Sequence, residues 1–120
     1  MGFLDRFRTP RAPASPADSD RLILRQLEGL GANLGLPRHV IHYLYFESES
    51  DARRAAEEAP KTGWDATVTA PSDGIPQWSV RAESTRVVDE TTVVAFRAWF
   101  EQLAGEYDGE YDGWEAASQP

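Results

Sequence analysis

The chain has 120 residues, with 12 basic against 20 acidic side chains, a formal net charge of -8 and a pI near 4.7. That length supports one domain with a modest core plus short tails, and a field of that sign repels phosphate backbones, so direct nucleic-acid binding is not expected. Cysteine is absent, which excludes disulfides, thiolate zinc sites and cysteine nucleophiles.

No apolar run approaches the roughly 20 residues needed to cross a bilayer. The opening Met1–Arg8 lacks a secretory apolar core, and Arg6 stands where a myristoylation motif after Gly2 wants Ser or Thr. A cytoplasmic protein without stable membrane association is expected. Residues 9–17 carry Pro10, Pro13 and Pro16 and no large apolar side chain. They read as an extended linker, so residues 1–17 form a flexible, basic, proline-rich tail outside the domain.

A first helix is expected from a cap at Asp18 or Ser19, with Ile23, Leu27, Leu30 and Leu34 on one face and Gly31 ending it. His39–Phe46, dense in β-branched and aromatic residues, reads as a strand with two largely apolar faces. Ser48 or Ser50 then caps a helix whose stripe is Ala52, Ala55, Ala56 and Ala59, and Pro60 and Gly63 stop it. Trp64, Ala66, Val68 and Ala70 alternate with polar residues, as do Trp78, Val80 and Ala82 across the turn Pro71–Gly74. These give two paired strands. Asp89 caps a last helix with the stripe Val93, Phe96, Phe100 and Leu103, ended by Gly105.

Strand, helix, strand, strand, helix is a split β-α-β arrangement. The expected fold class is α+β: a ferredoxin-like split β-α-β sandwich with an extra N-terminal helix. Three or four mainly antiparallel strands carry helices on one face. The first strand would lie on an edge, an aggregation hazard unless the segment 106–114 or the first helix covers it.

Constellations for chemistry are sparse. His39 and His42, three apart on one strand, point to opposite faces and cannot share a metal. His42 reads as a hydrogen-bonded core histidine, and His39 has no visible acidic partner. Asp108-x-Glu110-x-Asp112-Gly113 imitates half a calcium loop, but Gln119 stands where the closing Glu belongs. No catalytic residues, metal site or cofactor are expected. The distinctive stretch is the tandem Glu-Tyr-Asp-Gly of residues 106–113, closed by Trp114. Its residues Glu106, Tyr107, Asp108, Glu110, Tyr111, Asp112 and Trp114 form the candidate partner-binding surface, with rings docked on the fold and acids in water.

Three segments resemble the regulator of ribonuclease activity B family, the ribonuclease E inhibitors. They are Val40–Phe46 running into Ala52–Ala59, the entry Gly63-Trp64-Asp65-Ala66-Thr67-Val68, and the tail Gly109-Glu110-Tyr111-Asp112-Gly113-Trp114. The resemblance spans roughly residues 18–115, leaving 116–120 as a disordered C-terminus. Its better-known members carry a long acidic extension after the Tyr-Asp-Gly-Trp segment, where this sequence has only Glu115–Pro120. The resemblance implies a ferredoxin-like fold and a non-enzymatic protein that binds ribonuclease E, or a protein partner of it. The competing expectation is a generic interaction module, of immunity or scaffold type, unrelated to RNA decay.

Overall fold

A computed structural model describes residues 6–8 and 16–119. In chain order the elements are β1 (Arg6–Arg8), α1 (Pro16–Gly29), β2 (Arg38–Phe46), α2 (Glu49–Glu58), β3 (Asp65–Thr69), β4 (Trp78–Arg86), α3 (Glu90–Glu106) and β5 (Glu110–Ala117). The strands form one antiparallel sheet in the order β1-β5-β2-β4-β3. Within it, β2-α2-β3-β4-α3-β5 is the ferredoxin-like unit, its first and third strands in the middle. The expected α+β sandwich is therefore present. It has one strand more than expected, because Arg6–Arg8 pairs along Glu115–Ala117 of β5.

The helices follow from local chemistry. α1 opens at Pro16, whose ring presets a helical φ and whose missing N–H is no loss in a first turn. Its buried face is Ile23, Leu24 and Leu27, whereas Leu30 is 60 % exposed. The expected stripe fails at Leu30 because the helix ends at Gly29 and Gly31 turns the chain away with φ 83°. Ser48 caps α2, its side chain accepting from the Asp51 N–H at 3.2 Å. Ala52, Ala55 and Ala59 are fully enclosed, so α2 lies close against β4. At α3 a capping box forms, Asp89 accepting from the Thr92 N–H and Thr92 from the Asp89 N–H, both at 2.9 Å. Gly105 does not end this helix. The left-handed residue falls three positions on, at Asp108 with φ 56°.

Side chains of Val40, Leu44, Phe46, Val80, Phe100 and Trp114 build the core between the sheet and its helices. The largest departure from expectation is β5. Its residues were expected as a docked tail, but they form a strand between β1 and β2 that covers the exposed edge directly. The domain boundaries shift accordingly. Ala116 pairs with Val40, so residues 116–117 belong to the sheet and not to a disordered C-terminus. Residues 6–8 and 16–17 belong to secondary structure as well, while most of the expected linker lies outside the described residues.

Candidate functional site

The acidic-aromatic run divides into three parts. Glu106 and Asp108 are exposed at the end of α3, with Tyr107 half-buried between them. Glu110 begins β5 and is also exposed, so three exposed carboxylates fall within five residues at the corner where α3 turns into β5. Farther on, β5 pairs Leu44 with Tyr111 but Tyr43 with Gly113, which leaves Asp112 as the extra residue of a bulge. Gly113 has φ 103°, a conformation that favours glycine.

That bulge has a specific consequence. In an unbroken strand, residues three apart face opposite sides. The extra residue inverts the alternation, so Tyr111 and Trp114 stand beside Leu44 and His42 on the same, helix-covered face. Trp114 is 0 % exposed, which removes it from the candidate partner surface. Its indole Nε1 donates to Asp20 Oδ1 at 2.8 Å. Arg97 grips the same carboxylate twice, Nη2 to Oδ1 at 2.6 Å and Nε to Oδ2 at 2.7 Å. One buried carboxylate of α1 thus joins α3 and β5, with three charge-assisted bonds satisfying it.

Tyr111 leads to the second cluster. Its hydroxyl lies 2.7 Å from His42 Nδ1, and His42 is 2 % exposed. The imidazole stacks on Phe100 at 4.3 Å and meets Trp64 edge-on at 4.9 Å. Arg86 lies 4.4 Å over the Trp64 ring and Arg97 5.1 Å over Tyr111, so cations close both ends of an aromatic box. Burial first, and then the charges of Arg97 and Arg86, hold the imidazole well below the usual histidine range. Its Nε2 is buried without a hydrogen-bond partner. A neutral, enclosed imidazole with a phenol as neighbour is a packing element, poorly placed to exchange protons with a substrate.

Two functional-looking residues escaped the sequence reading. His39 does have an acidic partner: its Nε2 sits 2.9 Å from Glu83 Oε1, two positions off its direct cross-strand neighbour. The signal needed was the register of β2 on β4. Arg38, one of several dispersed basic residues in the sequence, is fully buried and donates to the carbonyls of Ala117, Ser118 and Asn33. No local pattern marks it. Among the described residues no three His, Asp or Glu side chains converge as metal ligands: Asp108, Glu110 and Asp112 are strung along a turn, a strand start and a bulge.

No helix among the described residues is long and apolar enough to cross a membrane. No curated protein matches the chain. The family model described as regulator of ribonuclease activity B matches residues 17–116, which takes in all but the first residue of α1, all but the last of β5 and every element between. The tail, with its Tyr111, its Asp112–Gly113 bulge and its anchored Trp114, lies inside that match, and the chain belongs to the regulator of ribonuclease activity B family.

Proposed function

We propose that this protein is a non-enzymatic regulator that binds a ribonuclease of the ribonuclease E type, in the cytoplasm, and damps RNA cleavage. Family membership over residues 17–116 carries this reading. The corner formed by Glu106, Asp108 and Glu110 supports it. Tyr107 and Tyr111 pack against the core, so the backbone that carries these acids and Asp112 is anchored to the fold, which lowers the ordering cost of association. Such a surface complements a basic, RNA-attracting region of a nuclease and competes there with RNA. Enzymatic turnover finds no support in His42, whose ring is sealed among aromatic neighbours.

The test is cleavage of a fluorescent single-stranded RNA by purified ribonuclease E with this protein added. Inhibition is expected with the wild type. Glu106→Gln, Asp108→Asn and Glu110→Gln together are expected to slow association about tenfold without lowering the melting temperature. Asn is chosen at 108 because it tolerates the left-handed backbone there. Unaltered cleavage with no association would favour the generic interaction module of immunity or scaffold type.

A further inference from the structure

At the far side of the sheet from this corner, β3 is the last strand in the order and, among the described residues, pairs only with β4. Every second residue of such a strand turns its N–H and C=O outward, an open template for another chain. Edges of this kind are usually blunted by Lys, Pro or a bulge. Asp65-Ala66-Thr67-Val68-Thr69 has none of these, and its register on β4 is unbroken.

Beside this edge lies a shallow groove of ≈ 540 Å³, lined by Arg53, Ala56, Glu57, Pro60, Ala66 and Val68. It arises from the alanine stripe of α2. The small side chains bring the helix down onto β4, and the outer row of Ala56, Ala66 and Val68 is left half-buried beside Arg53, Glu57 and Pro60. A strand added to β3 would therefore send alternate side chains into a trough under α2 that mixes the small apolar Ala56, Ala66 and Val68 with the charged Arg53 and Glu57. The others would lie on the opposite face beside Thr67 and Thr69.

Charge selects the occupant. Residues 49–73 carry six acids against three bases, and two of those bases are already engaged, Arg53 with Glu49 at 2.8 Å and Lys61 with Glu58 at 3.0 Å. Glu57 on the groove wall and Asp65 at the strand start are exposed. A second copy of this chain would bring the same acidic region, on a molecule of net charge -8, against itself.

We propose that the β3 edge and the groove under α2 bind an extended, basic protein segment that adds as a sixth strand, with apolar residues at every second position. Backbone hydrogen bonds supply affinity and the trough supplies selection, as in other strand-addition complexes. This deepens the regulator reading by assigning how a partner segment is held.

The probe is a capped peptide of alternating Lys and Val, roughly ten residues long, enough to run along β3 with overhang. Titration is followed by amide NMR and hydrogen exchange on the full chain. Saturable binding is expected, with the exchange of amides within 65–69 slowed about tenfold and a Glu-Val peptide of the same length bound at least about tenfold more weakly. Ala56→Arg, which lays a long side chain along the trough, is expected to weaken binding about tenfold or more. Val68→Thr keeps the strand preference while making the trough polar, and carries the test if Ala56→Arg lowers the melting temperature.

The proposal falls if the Lys-Val peptide fails to bind at about 1 mM, if it protects amides elsewhere, or if both variants bind it like the wild type. It also falls if sedimentation shows the chain dimerising through β3 and Ala56→Arg abolishes the dimer. Purified ribonuclease E separates the two readings. A nuclease inhibited equally by wild type and both variants sinks the groove and leaves the regulator. Peptide binding without any nuclease association sinks the regulator and leaves the groove.

Discussion

His42 shows how one residue can look catalytic and serve the fold. An unperturbed histidine gains its proton near pH 6.5. Inside the box of Trp64, Phe100 and Tyr111 the charged form is disfavoured by burial and by two guanidinium groups, so the folded-state value lies well below that. The sign follows from proton counting. Below about pH 6.5 the unfolded chain binds a proton at this position that the folded chain does not, so stability falls as pH falls. The loss has a limiting slope of about 1.4 kcal/mol per pH unit and continues until the folded-state value is reached. Urea unfolding between pH 7.5 and 5 is expected to show this decline, and His42→Phe, which keeps a ring in the box, is expected to flatten it. A wild-type midpoint that held level over that range would mean that the imidazole protonates freely in the folded protein.

Among the elements, β5 carries the main lesson about legibility. α2, β2, β4 and the cap of α3 are written in local patterns: Ser48 and Asp89 before helical stripes, Val80 and Ala82 alternating with polar neighbours. Those elements formed as expected. β5 is hidden because Glu-Tyr-Asp-Gly is turn chemistry, and because Tyr111 and Trp114, three apart, cannot share a face in a regular strand. Only the pairing with β2, set by distant residues, reveals that Asp112 is a bulge and that both rings face the core. The Asp20–Arg97–Trp114 junction was illegible for the same reason, since its members lie on three elements far apart in sequence. A paired substitution tests this account. Gly113→Ala, at φ 103°, is expected to cost about 1–3 kcal/mol because the bulge needs that backbone. Gly105→Ala, in the last turn of α3 with open space where a Cβ would go, is expected to add about 0.5–1 kcal/mol. Equal effects at the two glycines in urea unfolding would contradict the assignment of the bulge.

For the whole molecule, charge decides what is kept away. The net charge of -8 already disfavours RNA, whose binding rests on neutralising phosphates with Lys and Arg. The fold makes the imbalance sharper, because many of the cations are committed internally. Arg38 is buried on carbonyl oxygens, Arg97 grips Asp20, and Arg86 covers Trp64 and donates to the Thr62 carbonyl. Arg53, Lys61 and Arg81 each face a carboxylate on their own or the adjoining segment. No stripe of available cations interleaved with exposed rings remains among these residues, which a single-strand binder requires. The isolated protein is therefore expected to show no measurable binding to single-stranded RNA at physiological salt, and no cleavage of it with magnesium or calcium added. Its association with a basic protein surface is expected to behave oppositely, strengthening as ionic strength drops and the Debye length grows from about 8 Å to 30 Å. Fluorescence anisotropy with a labelled RNA, run beside nuclease association across the same salt series, checks both halves. Micromolar RNA binding, or cleavage abolished by His42→Phe, would replace the regulator with a protein that acts on RNA directly.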